Sequence, residues 1–120
     1  MRRDNVILEK SYAFAVRVVR LRQFLVDYKQ EFVLSKQILR SGTSIGANVE
    51  EAAGAQSTND FLAKISIAYK EARETKYWIR LLKDTNYLTL DQFNSLFYDI
   101  EAILKIISKI QSTTRSRNNW

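Results

Sequence analysis

Carboxylates on two predicted helices are the residues of this chain whose type and spacing could support catalysis. Glu50 and Glu51 are adjacent on one helix, and Glu71 and Glu74 follow an E-x-x-E spacing on the next. Carboxylate oxygens are ligands that Mg²⁺ takes in proteins, together with substrate phosphates. If the two helices face one another, these side chains suit a magnesium-dependent nucleotide hydrolase.

Neighbouring residues weigh against that activity. Glu71 and Glu74 diverge by about 60° around a helix, and each has a basic residue close by in the sequence. Pairing of Glu51 or Glu74 with Arg40 explains the same carboxylates as structural ion pairs. We therefore predict no catalytic residue and no metal site, and nucleotide hydrolysis is the less favoured alternative.

Composition excludes further chemistry. The chain has no cysteine and no histidine, which removes disulfides, thiolate metal sites and the commonest general base. A di-iron bundle requires Glu-x-x-His motifs, which this sequence does not contain, so no cofactor is predicted. The apolar residues near the N-terminus form no signal-peptide core, and no run approaches the roughly 18 apolar residues of a membrane span. We expect a cytoplasmic protein without a membrane partner.

Positive charge is concentrated on two predicted helices. The net charge is +6, with nine basic against four acidic residues at 1–40 and six against three at 61–90. One arc of the third helix, about a third of its circumference, holds five cations with Tyr69 and Tyr77 among them: Lys70, Arg73, Lys76, Arg80 and Lys83. Lys10, Arg17 and Arg20 extend this face if the first helix lies alongside. Such a face suits contact with a nucleic-acid backbone; the alternative is an ordinary solvated helix surface.

The elements that carry these residues are helices. The chain has no proline and only three glycines, so it lacks the usual breaks of β-rich folds. Apolar periodicity predicts helices at about residues 4–28, 35–54, 58–86 and 89–111, and a flexible polar tail at 112–120. Predicted end signals are the N-caps Ser35 and Ser57 or Thr58, the capping box Thr89-x-x-Gln92, and Gly54 after the second helix. The short loops predict one all-α domain at residues 1–111, an antiparallel up-down-up-down four-helix bundle.

The second helix carries small and polar residues where a bundle buries apolar ones. Ser41 and Asn48 fall on its apolar seam, and each needs a hydrogen-bond partner there, because an unpaired buried group costs about 1–3 kcal/mol. Gly42 and Gly46 lower the helix propensity. Their presence predicts that another helix or backbone approaches closely.

The first and fourth helices hold more apolar surface than a lone bundle needs. From Tyr12 to Leu21 only Arg17 and Arg20 are charged, and the stretch from Leu96 to Ile107 is nearly as apolar. A core-facing helix needs roughly three apolar positions in seven. We therefore predict a second buried face and a homo-oligomer. The alternative is a first helix that is simply central in the bundle.

One set of residues on the second and third helices is distinctive: Arg40, Ser44, Ile45, Asn48, Glu51, Phe61, Ala68 and Glu74. The pattern closely resembles the signature of the bacterial four-helix-bundle proteins encoded in intervening sequences of 23S ribosomal RNA genes. The resemblance spans all four helices and is strongest from Arg40 to Leu82. It implies a homopentameric barrel of bundles, the architecture of the accessory variability protein of diversity-generating retroelements, which binds nucleic acid and a reverse transcriptase.

Two functions therefore remain open. In the first, the oligomer binds RNA or DNA through its basic face, and a reverse transcriptase or another protein is a further partner. In the second, it is a protein-interaction scaffold with incidental charge. In both, we interpret one set of residues as a buried polar network that fixes helix packing: Arg40, Ser44, Asn48, Glu51 and Glu74. A phosphate-binding face carries no sequence information, so no nucleic-acid target is predicted.

Overall fold

The computed structural model describes residues 2–118, and the side chains of residues 6–117. These residues form four helices, α1 (Arg2–Lys29), α2 (Leu34–Ala53), α3 (Thr58–Asp84) and α4 (Leu90–Asn118). The predicted all-α fold is confirmed for this part of the chain. The bundle is elongated, with extents of 52 × 22 × 20 Å.

Each helix packs against the helix that follows it in the chain, and α1 also packs against α4, which closes the bundle. Within residues 2–118, the α1 and α3 backbones do not approach one another, and neither do those of α2 and α4. These two pairs therefore lie across the diagonals. The diagonal position of α1 relative to α3 decides which charged surfaces can combine.

The core lies along the bundle axis and contains one apolar seam from each helix. On α3 the seam repeats at steps of three and four, as amphipathic helices require. Its buried members are Ile65, Ala68, Ala72, Thr75, Ile79 and Leu82. On α4 the buried members are Leu96, Ile100, Ile103, Ile107 and Ile110. Most of the apolar surface of α4 is thus used inside the bundle.

α1 and α2 approach closely at the two helical glycines. A Cβ atom on Gly42 would lie 2.7 Å from Cγ2 and 2.8 Å from Cγ1 of Val18. A Cβ atom on Gly46 would lie 3.2 Å from the carbonyl oxygen of Ser11. The predicted close approach is confirmed, and it explains why α2 accepts two residues of low helix propensity.

Two predicted caps are present. Ser57 precedes α3, and its hydroxyl accepts the backbone N–H of Asp60 at 3.0 Å. At the start of α4, the Thr89 hydroxyl accepts the N–H of Gln92 at 3.2 Å, and the Gln92 side chain accepts the N–H of Thr89 at 2.9 Å. This reciprocal pair is a complete capping box.

The prediction that Ser35 caps α2 is wrong, because Ser35 lies inside the helix. The buried carboxylate of Glu31 takes over this role and accepts the backbone N–H groups of Val33, Leu34 and Ser35 at 3.2, 3.0 and 2.7 Å. Burial raises the pKa of Glu31, but the hydrogen bonds together lower it by more than burial raises it. The pKa therefore lies below its ordinary value. A carboxylate is also favoured at a helix N-terminus by the helix dipole.

The predicted end of the second helix at Gly54 agrees with the structure, whereas the predicted end of the fourth helix does not. Gly54 follows α2, but its φ of −97° makes no use of the positive φ that glycine permits. α4 continues to Asn118, so residues 112–118 of the predicted polar tail are helical, and residues 119–120 lie outside the described part. The added turns are supported by the Thr114 hydroxyl, which donates to the carbonyl of Ile110 at 2.7 Å. Arg115 also lies in the last turn, where the helix dipole favours cations.

Candidate functional site

The surface of α3 opposite its buried seam carries three cations and one aromatic ring. Lys70, Arg73, Tyr77 and Arg80 follow one another at steps of three, four and three, so they form one row along the helix. We call these four residues the α3 outer row. All four are exposed, and none of the three cations forms an ion pair with a described residue. Asp84, one turn beyond Arg80, ends the row.

The other two cations of the predicted basic face turn toward α4. Lys76 Nζ lies 2.5 Å from Glu101 Oε1 and 5.3 Å from the centre of the Phe97 ring. Lys83 Nζ lies 4.6 Å above the Phe93 ring. The side chains of Lys76 and Lys83 are 34% and 39% exposed. Their charges therefore serve the contact between α3 and α4, and three of the five predicted cations remain on the outer row.

The cations of α1 do not join this row. Arg17 lies against α4, where its Nη1 is 2.6 Å from Asp99 Oδ2 and its guanidinium also donates to the hydroxyl of Ser95. Lys10 and Arg20 are exposed. The prediction that these residues extend the basic face required α1 to lie alongside α3. α1 instead lies diagonally across the bundle from α3, so these residues do not extend that face.

The residues predicted to form one buried polar network lie in three separate groups. In the first, Arg40 of α2 joins two carboxylates of α3, with Nη2 2.6 Å from Glu74 Oε2 and Nη1 3.8 Å from Glu71 Oε2. The indole N–H of Trp78 donates to the same oxygen of Glu74 at 3.0 Å. The Arg40 side chain is 57% exposed, so this group lies at the surface between the helices.

The second and third groups are local contacts. The side-chain amide of Asn48 donates to the carbonyl and hydroxyl oxygens of Ser44, one turn earlier on α2. Glu51 Oε1 lies 3.0 Å from Lys64 Nζ, and this hydrogen bond, with the charge of Glu51, raises the pKa of Lys64. A further polar contact in the core joins two residues outside this set, because the hydroxyls of Thr75 and Ser41 are hydrogen-bonded at 2.9 Å.

Three of the four carboxylates considered for catalysis are paired with cations, and the fourth, Glu50, is exposed. Glu51 pairs with Lys64, and Glu71 and Glu74 both face Arg40. Among the side chains of residues 6–117, no group of three or more acidic residues is placed to hold a metal ion. The geometry gives the three paired carboxylates a role in joining α2 to α3.

Exposed apolar residues mark two further surfaces. Tyr12, Val16 and Val19 lie at steps of four and three on the outside of α1, and we call them the α1 outer row. A second group lies at the end of the bundle where α1 meets α2 and α3 meets α4: Tyr28, Phe32, Val33 and Leu90. The apolar excess predicted for α4 is largely buried, so the prediction of a second apolar face rests on α1.

Sequence reasoning missed two features of the surface. Glu74 and Trp78 are one helical turn apart, a spacing that brings side chains together, and this spacing was the signal available for their contact. The second feature is a shallow groove of about 250 Å³ between α1 and α4, which no spacing in the sequence predicts. Its lining residues come from distant parts of the chain: Arg17, Arg20, Leu21, Phe24, Leu88, Gln92 and Leu96.

None of the four helices, over the residues described, is long and apolar enough to cross a membrane.

The fold and its surfaces define an all-α antiparallel four-helix bundle whose third helix presents a basic outer row. Residues 3–109 match the family described as 23S rRNA-intervening sequence protein, so the chain belongs to that family. The chain is also similar to a solved protein with unknown function from the S23 ribosomal protein family of Bacteroides thetaiotaomicron. The two are 54% identical, with a TM-score of 0.90, over 92% of this chain and 98% of the other. No curated protein matches the chain.

Proposed function

We propose that this protein is a non-catalytic, homo-oligomeric helical bundle of the cytoplasm that binds the backbone of RNA or DNA through the α3 outer row. The observation that carries the proposal is the set of three exposed cations, Lys70, Arg73 and Arg80, without carboxylate partners among the described residues. The neighbouring cations Arg40 and Lys76 are each within 2.6 Å of a carboxylate.

The spacing of the row suits a phosphate backbone. Lys70 and Arg80 are ten residues apart, which is about 15 Å along a helix, a length over which a nucleic-acid strand presents several phosphates. Each cation that neutralises a phosphate releases bound counterions, so the affinity falls steeply with salt. Such binding reads no sequence.

Oligomerisation supplies the strength that three cations alone lack. The α1 outer row is apolar and exposed, and surfaces of this kind are more often interfaces than solvated faces. A ring of copies would repeat the α3 outer row and multiply its contacts with one strand. Five copies, and a reverse transcriptase as a partner protein, are what the resemblance to the retroelement accessory protein implies.

A protein-interaction scaffold is the second candidate, and one observation favours it. Phe32 and Val33 are 61% and 68% exposed at the end of the bundle. The buried Glu31 carboxylate fixes the loop that presents them, because it accepts backbone N–H groups from Val33, Leu34 and Ser35. Two rigidly held apolar side chains are suited to a protein partner.

Charge reversal separates the two candidates. Under the first, the double variant Arg73→Glu with Arg80→Glu loses salt-sensitive retention on RNA or DNA and keeps the oligomer. Absence of retention by the unmodified protein at low salt, on a mixed panel of RNA and DNA, would remove the first candidate and leave the scaffold.

A further inference from the structure

We infer that Tyr77 is a platform on which an unpaired base stacks, so that the α3 outer row binds single-stranded nucleic acid in preference to a duplex. This inference rests on the proposed function and specifies the form of nucleic acid that the row accepts.

Tyr77 occupies a position where packing does not require an aromatic ring. It lies opposite the buried seam of α3, and 54% of the residue is exposed. Arg73 lies one turn before it and Arg80 one turn after it, at about 6 Å and 4.5 Å along the helix axis. Tyr69, the other tyrosine of the predicted face, is partly buried against the core. Tyr77 is therefore the ring that the row offers to a ligand.

The ring is also held in place by its neighbours. The centroids of Tyr77 and Trp78 are 5.0 Å apart with an interplanar angle of 75°, an edge-to-face contact. Trp78 is fixed in turn by its hydrogen bond to Glu74, which Arg40 also contacts. A ring that is ordered before binding loses less conformational entropy when a ligand arrives. The Arg40 and Glu74 contact thus acts as a positioning element for Tyr77.

Along the α3 outer row, a cation, an exposed aromatic ring and a second cation follow one another. This arrangement is suited to binding a single strand. Proteins that bind single strands without sequence preference combine a basic surface for the phosphates with aromatic side chains on which bases stack. In a duplex the base faces are already stacked on one another, so a ring on a helix surface gains nothing from them. The three cations bind either form, and Tyr77 adds affinity for the single strand alone.

The test compares one mixed-sequence oligonucleotide as a single strand and annealed to its complement, by fluorescence anisotropy at low salt. The variants are Tyr77→Ala and Tyr77→Phe, with Tyr98→Ala as the control because Tyr98 is 76% exposed on another helix. We expect Tyr77→Ala to bind the single strand about five-fold or more weakly and the duplex unchanged. Tyr77→Phe and Tyr98→Ala keep the affinity of the unmodified protein for both.

A second readout reports on the stacking itself. The sequence contains two tryptophans, so a Trp120→Phe background leaves Trp78 as the single indole. Because Trp78 contacts Tyr77, a base stacked on Tyr77 should quench Trp78 emission, and a duplex should not. Equal thermal unfolding of Tyr77→Ala and the unmodified protein shows that the fold is kept.

The outcomes separate this inference from the proposed function. If Tyr77→Ala binds both forms as the unmodified protein does, or loses both equally, the stacking role is overturned. Salt-sensitive binding that still depends on Arg73 and Arg80 would then leave the proposed function standing. If the unmodified protein binds neither form at low salt, the proposed function fails and the stacking role fails with it.

Discussion

Arg40 on α2 and Glu74 on α3 are joined by a contact of 2.6 Å between guanidinium Nη2 and carboxylate Oε2. The same oxygen accepts the indole N–H of Trp78. More than half of the Arg40 side chain is exposed, so solvent screens most of the attraction between the charges. The contact therefore contributes more to the placement of Trp78 and its neighbour Tyr77 than to the stability of the bundle.

The variant Glu74→Gln tests whether the contact with Arg40 places Trp78 more than it stabilises the bundle. Because the pair is exposed, we expect the free energy of unfolding to fall by no more than about 1 kcal/mol, measured by urea denaturation. The environment of Trp78 should change visibly in its fluorescence. Glu51→Gln, which disrupts the exposed pair with Lys64, is the matched control and should leave Trp78 unchanged. A loss above about 2 kcal/mol would show that the contact is a main source of stability.

Gly42 is required by the close approach of α1 to α2. In Gly42→Ala the new Cβ atom would lie under 3 Å from two methyl carbons of Val18, whose branched side chain cannot easily rotate away. Overpacking costs about 1–3 kcal/mol, and the gain in helix propensity, about 1 kcal/mol, offsets part of it. Urea denaturation should show a net loss of stability, which a second change, Val18→Ala, reduces.

Gly54→Ala is the control for that measurement. At Gly54 a Cβ atom would meet only the carbonyl oxygen of Glu51 at 3.8 Å, and φ is negative. This change should therefore leave the stability unchanged or raise it by about 0.5–1 kcal/mol. If Gly42→Ala proves as stable as Gly54→Ala, the close approach of the helices is not a constraint.

The buried carboxylate of Glu31 makes the stability depend on pH. Its pKa in the folded protein lies below the ordinary value of 4.5, so ionised Glu31 stabilises the fold above pH 4.5. This contribution is lost as the pH falls below 4.5 through the folded pKa. In urea denaturation Glu31→Gln should be less stable than the unmodified protein by about 1–2 kcal/mol near pH 7, and the difference should shrink below pH 4.5. A difference that stays constant would contradict the role of the charge.

The α1 outer row predicts self-association. Val16 and Val19 are 37% and 40% exposed, so the double change Val16→Glu with Val19→Glu leaves the core intact and places charge on the proposed interface. Light scattering should give an oligomer mass for the unmodified protein and a monomer mass for this variant. Leu90→Glu, at another exposed apolar site, should keep the oligomer. A monomer mass for the unmodified protein at micromolar concentration contradicts the prediction.

Local signals explain which parts of the fold could be predicted from sequence. The capping box of Thr89 and Gln92 depends on residues three apart, and its two hydrogen bonds form as the spacing predicts. The start of α2 was mispredicted because Ser35 has the chemistry of a cap, whereas the cap that forms belongs to Glu31 four residues earlier. That carboxylate acts as a cap because it accepts three backbone N–H groups at once, and this arrangement depends on the conformation of the loop between α1 and α2.

The candidate site shows the same limit. The helical period placed Lys70, Arg73 and Arg80 on one arc, and the structure keeps them there in solvent. The helical period could not reveal that Lys76 turns toward Glu101, because that contact depends on how α4 packs against α3. The diagonal position of α1 is likewise set by the order of helices around the bundle.

The salt dependence of nucleic-acid binding tests the central proposal most directly. The measurement is the slope of log Kobs against log salt for the unmodified protein, for Arg73→Glu with Arg80→Glu, and for Lys105→Glu with Lys109→Glu. The last pair lies exposed on α4 and lowers the net charge by the same amount. We predict that the change on α3 abolishes binding or flattens the slope by about 0.7–0.9 for each lost phosphate contact, while the change on α4 leaves the slope as it was. No binding by the unmodified protein at low salt, or equal losses in the two variants, would contradict the proposal.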